Sequence, residues 1–312
     1  TKFHKIVRSD KQLLIFLLTQ FFNFSIFQFF NFSIFFKALL LTEIFDWTSI
    51  FSPLEGHLPV IAFGAPNAWK ILYPDSGNGI ETAINIKTRG AVVVQASEPL
   101  KWSGYSSTPA AMAMSNDGNT VTITGFWSQD SKPSIEGGPL SESYDFHSMI
   151  FHWGTGDEGG SEHTLDGVNY PLELQMIHVK RGFKSPFDAI VVGAKHGVAI
   201  VSILFQVNDT FCLDRVVKCL WRVQKPGMKV CMPAFPLEEM FPPFETNYYS
   251  YCGSLMQESP KEAVTWIVHP QPMNVSSSQM EKFRSVYLAD VPMLFDARPI
   301  NRLNDRDLYY HD

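Results

Sequence analysis

The chain has 312 residues, 45% of them hydrophobic, and a formal net charge of −6 at neutral pH. It is long enough for one large domain or two small ones, and apolar enough for a sizeable core. It carries no basic stripe to neutralise phosphates, which argues against a nucleic-acid partner.

Residues 12–36 hold no charge and include ten phenylalanines, and Lys2, Lys5, Arg8 and Lys11 precede them. The run Phe21–Phe27 recurs from Phe29. The length suits a membrane span, and the flanking charges suit a cytoplasmic N-terminus. The stretch is long for the apolar core of a signal peptide, and no small-x-small cleavage site follows it. Three readings stay open: a signal or signal-anchor, a repetitive product of a faulty gene model, or a buried helix. The first makes the protein extracellular, either secreted or anchored to a membrane through 12–36 with an extracellular domain. The second leaves it cytoplasmic. On the secretory route Asn208 and Asn274, each followed two residues later by a hydroxyl residue, are glycosylation acceptors.

Beyond 1–59 the chain is expected to form a single domain over 60–308, with no internal linker. Lys101–Pro109 is expected to be a surface loop. Ser115–Asn119 is a turn of Asn-Asp-Gly type, and Thr120–Thr124 alternates as a half-buried strand does. Phe146–Trp153 is a strand, and Gly154–Gly160 supplies turn chemistry. Leu172–Val179 is a second strand, in which Leu174, Met176 and His178 alternate with Glu173, Gln175 and Ile177. Lys184–Asp188 is expected to be a loop. His196–Val207 is apolar enough for the centre of a sheet. Phe211–Val223 has helical spacing in Leu213, Val216, Val217 and Leu220. A second helix opens near Val275, capped by Ser276 or Ser277, with Glu281 near its first turns. Cys212, Cys219, Cys231 and Cys252 lack metal-binding spacing. For Cys231 and Cys252, a disulfide and two free thiols are both open.

The chemistry concentrates in 146–180, which carries His147, His152, His163 and His178 with Glu162 and Glu173. This stretch resembles the zinc-binding segment of the α-carbonic anhydrases. The resemblance is carried by Phe151-His152-Trp153-Gly154, Ser161-Glu162-His163-Thr164, Asp166-Gly167, Tyr170-Pro171, Glu173-Leu174 and Ile177-His178. Further matches extend it over most of the chain. They include Pro66–Trp69, Glu81–Ile86, Ser115–Asn119, Gly137–Leu140, Tyr251–Leu255, Glu262–Val268, Val275–Arg284, Arg298-Pro299 and Asn304-Asp305-Arg306. The resemblance implies a mainly β, α+β fold: a large, twisted, mostly antiparallel central sheet with helices at its periphery.

The family holds zinc on three histidines, two at alternate positions of one strand and the third on a neighbouring strand. Alternate residues share a face, so three imidazoles converge and a fourth position stays open for water. Here the matching positions are Ile150, His152 and Gln175. Isoleucine cannot ligate, and a neutral amide is a poor zinc ligand beside imidazole. The family's proton-shuttling histidine is Asn119, which does not titrate near neutral pH. Its hydroxide-orienting threonine is Met256. Glu162 remains, as does Glu173, where the family braces its third histidine. His147 and His178 lie at odd spacing, on the opposite face of an unbulged strand, so a rebuilt metal site would need a bulge.

The resemblance is therefore to the carbonic-anhydrase-related proteins, pseudoenzymes that have lost zinc ligands. The expectation is a protein without catalytic zinc or carbon dioxide hydration, with no cofactor, acting as a binding or interaction module for a protein partner. The alternative is a weak zinc-dependent carbonic anhydrase with a rebuilt ligand set. An acid/base pair of Glu162 and Glu173 is a further reading, but hydrogen bonds within the scaffold account for both acids.

Overall fold

A computed structural model describes residues 84–95, 98–209, 212–253, 263–287 and 307–312. The segment 1–59, Met256 and the motifs at Pro66–Trp69 and 298–306 lie outside the described residues. Among those described, no helix is long and apolar enough to cross a membrane.

The strands in chain order are β1 (Asn85–Ile86), β2 (Val92–Val94), β3 (Lys101–Ser103), β4 (Ala111–Asn116), β5 (Val121–Phe126), β6 (Ser134–Glu136) and β7 (Tyr144–Trp153). They continue with β8 (Thr164–Leu165), β9 (Leu172–Lys180), β10 (Val198–Val207), β11 (Lys229–Met232), β12 (Tyr248–Gly253), β13 (Val264–Val268), β14 (Met273–Val275) and β15 (Tyr309–His311). Among the described residues the α-helices α1 (Pro186–Val191), α2 (Asp214–Leu220) and α3 (Ser277–Arg284) lie between them. A 13-stranded sheet runs β11-β4-β5-β7-β9-β10-β13-β12-β15-β2, with β14 beside β10 and β3-β6 beside β7. Most of its pairings are antiparallel; β10 pairs in parallel with β13 and β14, and β15 with β2. This is the expected α+β architecture, a large antiparallel sheet with peripheral helices.

The sheet is buried on both faces at its centre. On one face Leu172, Leu174 and Met176 of β9 join Phe151 and Trp153 of β7 and Val201 and Ile203 of β10. Val216 and Leu220 of α2 and Met280 and Phe283 of α3 cover that layer. On the other face Ile177, Val198 and Ile200 meet Tyr251 and Trp266. Strand β7 keeps its large side chains on one face on either side of a bulge. Phe146 pairs with His178 and Ser148 with Ile177, so His147 is the extra residue. Tyr144 and Phe146 reach the larger core before the bulge; Met149, Phe151 and Trp153 reach it afterwards. One inserted residue has reversed the alternation, as the two-residue side-chain period requires.

Several boundaries differ from expectation. The expected loop Lys101–Pro109 begins with β3, which pairs with β6. The expected loop Lys184–Asp188 contains the start of α1. Ser185 Oγ accepts the Asp188 N–H at 3.1 Å, and Pro186 fills the first turn, where its missing N–H costs nothing. The expected helix 211–223 is regular only over α2, so Cys212 lies before it and donates its thiol to the Asn274 carbonyl. Ser276 caps α3, and Gln279 closes the capping box by returning to the Ser276 N–H.

Cys212, Cys219, Cys231 and Cys252 form no disulfide. Cys231 on β11 and Cys252 on β12 stand seven strand positions apart in the sheet, at about 4.8 Å per position. That separation excludes the bond between them, whose Cα atoms would have to approach within about 7 Å.

The helix that closes the larger core generates a prediction. Phe283 is fully buried, with ring centroids 5.3 Å from Phe151 and 5.5 Å from Trp153. Phe283→Ala is expected to lower unfolding free energy by about 3–5 kcal/mol, read from the urea midpoint. A loss below about 1 kcal/mol, the range of an ordinary surface change, would remove α3 from the core.

Candidate functional site

The site is built on β7 and β9, whose register sets it. Thr122, Ile150, Gln175 and Ser202 form one row across β5, β7, β9 and β10. In the next row His152 is opposite Glu173. The three positions matching the family's ligands thus converge, as strand alternation requires: Ile150 and His152 on one strand, Gln175 facing Ile150 from its neighbour. Asn119 lies in the β4–β5 turn, exposed, where its N–H donates to Asp117 Oδ1 at 2.8 Å. That turn precedes Val121, which pairs with Phe151, so it lies at the His152 end of β7.

The connection from β7 to β9 brings Glu162 and His163 into the same group. A Cβ on Gly154 would stand 1.8 Å from the Gly159 carbonyl oxygen, so this crossing accepts no larger residue. Arg284 of α3 holds it from outside, donating to the Gly154 carbonyl at 3.1 Å and pairing with Asp157.

Glu173 is the hub and is wholly buried. Its Oε2 accepts the backbone N–H groups of Glu162 at 2.8 Å and His163 at 2.9 Å. Its Oε1 accepts His163 Nδ1–H at 2.7 Å, the Ser202 hydroxyl at 2.8 Å and the Gln175 amide at 2.9 Å. His163 Nε2 is 2.7 Å from the Tyr251 hydroxyl. Gln175 Nε2 also donates to Glu162 Oε2 at 2.8 Å, and His152 Nε2 is 3.6 Å from that same oxygen. Burial by itself would raise the Glu173 carboxyl. The charge and hydrogen bonds of His163, with His152 further off, outweigh it and lower the group from 4.5 to about 2.

The other histidines are engaged elsewhere. His147, the bulge residue, has Nδ1 2.8 Å from Ser148 Oγ, and burial lowers its pKa, helped by Lys132. His178 faces the opposite core, where Nε2 meets the Tyr105 hydroxyl and the ring lies edge-on to Phe146. Burial pushes it down to about 3, so it is neutral in the folded protein.

These residues do not fit the zinc ion that the family pattern implies. Ile150 presents hydrocarbon and is partly buried against the smaller core. Gln175 faces two carboxylates, and only its NH2 end can satisfy acceptors, so it offers hydrogens there rather than a lone pair. His152 is left as the single imidazole of the set, where zinc sites draw on three or four protein donors.

Sequence reasoning brought Ile150, His152, Glu162, Glu173 and Gln175 together and the structure does the same. Met256 lies outside the described residues. Ser202 and Tyr251 were missed. Ser202 had a signal, as the lone hydroxyl in the apolar run Val198–Phe205; Tyr251 had none beyond its place in a motif.

A thirteen-stranded, mostly antiparallel sheet with Ile150, His152 and Gln175 grouped on two adjacent strands defines the class: an α-carbonic-anhydrase scaffold. The sequence profile of eukaryotic-type carbonic anhydrases matches residues 64–312. The chain is 31% identical over 247 residues to human carbonic anhydrase 7, covering 77% of this chain and 92% of that protein. It is 34% identical over 214 residues to carbonic anhydrase 1 of Oryctolagus cuniculus, covering 66% and 89%. To carbonic anhydrase 3 of Sus scrofa it is 28% identical over 249 residues, covering 77% and 93%. The chain belongs to the eukaryotic-type carbonic anhydrase family.

The buried groups set the acid behaviour. His178 must stay neutral when folded, so the stability it contributes is present above 6.5 and is lost as pH falls towards about 3. Glu173 must stay ionised, so its contribution is present above 4.5 and is lost as pH falls through about 2. Urea titrations are expected to show stability falling in two overlapping stages. In Glu173→Gln the lower stage should vanish and the upper remain. An unchanged lower stage would show that Glu173 does not carry it.

Proposed function

We propose that this chain is a carbonic-anhydrase-related protein that holds no catalytic zinc, does not hydrate carbon dioxide, and acts as a binding module for a protein partner. The observation that carries this reading is the commitment of the Gln175 amide to Glu162 and Glu173. At the same point Ile150 supplies no donor atom, and Asn119 replaces a titratable shuttle. With no metal-bound water, the scaffold has nothing to activate as a nucleophile, and a stable surface remains as what it presents. Delivery to the extracellular side through 12–36, secreted or anchored, belongs to the same proposal, with Asn208 and Asn274 as glycosylation acceptors on that route.

A second reading has one observation in its favour. The bulge that a rebuilt metal site would require is present at His147, and the relatives named above are carbonic anhydrases. The alternative is a weak zinc-dependent carbonic anhydrase with a ligand set rebuilt around His152.

The two readings separate on metal content. The full chain, purified without chelator and dialysed against trace zinc, is expected to hold close to no zinc per chain, and stopped-flow assays should show carbon dioxide hydration at the uncatalysed rate. About one zinc per chain, with accelerated hydration, would replace the first reading by the second.

A further inference from the structure

We infer that Gln175 stands in for the metal as the cross-brace of the site: its NH2 group ties Glu162 to Glu173, making the scaffold's centre self-supporting without an ion. This inference rests on the zinc-free reading of the same site and adds a positive role for the residue at the lost ligand position.

The geometry is specific. Gln175 is 2% exposed, and both hydrogens of its amide are used, at 2.8 Å to Glu162 Oε2 and 2.9 Å to Glu173 Oε1. Those acids belong to different segments, one in the connection ahead of β8 and one in β9 itself. Both are buried, at 5% and 0% exposure. Two buried carboxylates on facing segments repel each other unless something positive or hydrogen-donating lies between them. In a zinc site the ion and its imidazoles provide that. Here an amide does, because NH2 supplies two divergent donors from one atom.

The choice of residue follows. Glutamate at 175 would add a third carboxylate. Leucine or methionine would fill the volume and leave both acids short of a donor. Asparagine is one methylene shorter and could not span the two oxygens. Rotating the amide to turn its oxygen towards a metal would break both bonds and set a carbonyl against two carboxylates. Gln175 thus supports the site and opposes the ion for the same physical reason.

The test is a double-substitution cycle on the full chain, with thermal unfolding followed in chelator and in excess zinc. Wild-type protein is expected to melt at the same temperature in both. Gln175→Leu is expected to lower the midpoint by about 10 °C, the scale for losing two charge-assisted bonds in a domain of this size. Glu162→Leu in that background is expected to cost much less than Glu162→Leu alone, since the brace it would break is already gone. Full additivity, or a Gln175→Leu midpoint within about 2 °C of wild type, the range of a surface change, would overturn the brace. If Gln175→Leu does not fold, side-chain amide exchange in labelled wild-type protein decides. Slow exchange of both Gln175 NH2 protons with deuterium supports the inference, and exchange within the dead time overturns it. Zinc at one per chain would sink the zinc-free reading. An additive cycle with no bound zinc would sink only the brace.

Discussion

A fully buried carboxylate at the middle of a large sheet sets terms for everything around it. Glu173 lies on β9, a strand buried on both faces, and loses its water when the sheet forms. An ionised carboxylate there is tolerated only if donors replace that water. The chain supplies five hydrogen bonds, from the backbone of Glu162 and His163 and the side chains of His163, Ser202 and Gln175. Each fixes a different part of the fold. The two backbone donors set the end of the glycine-rich connection, Ser202 ties in β10, and His163 carries the network on to Tyr251 of β12.

Strand register, rather than side-chain identity, sets the geometry of this arrangement. The ligand positions occupy neighbouring places on β7 and β9 because register puts them there, whatever side chains they bear. Ile150 adopts the simplest alternative for such a position and joins the apolar packing. Gln175 is polar and turns its amide towards Glu162 and Glu173. Two buried carboxylates are therefore not by themselves a sign of catalysis, since hydrogen bonds within the scaffold engage each of them.

Much of the fold was legible in the residues. The alternation of Leu172–Val179, the apolar run of β10 and the serines ahead of α3 each announce an element through local chemistry. The site was legible in part, since Ile150, His152, Glu162, Glu173 and Gln175 lie at spacings that strand geometry and family resemblance both interpret. The misses share a cause. The bulge at His147 depends on which residue of β9 faces Phe146, and β3 depends on a partner far along the chain, β6, which pairs Lys101 with Glu136. Helix α1 escaped notice because Lys184-Ser185-Pro186 resembles a turn as much as it does a capped first turn. The apolar spacing over 211–223 overruns α2 because it continues through the turn that follows, where the Val223 N–H still reaches the Leu220 carbonyl.

By itself, the sequence determined which residue types occupy positions 150, 152 and 175, and hence that one imidazole stands among them. It also determined the strand alternation that places those residues on a common face, because side-chain direction follows from backbone geometry within a few residues. Only the tertiary structure decided what the replacements do. The direction of the Gln175 amide depends on Glu162 and Glu173 arriving from two segments at once. The assignment of His147, His163 and His178 to partners away from His152 depends on one bulge and on the strands packed behind it. A residue's identity is local, but the partner that satisfies a buried polar group is chosen by the whole sheet, since the group must find its donors among whatever the fold brings near.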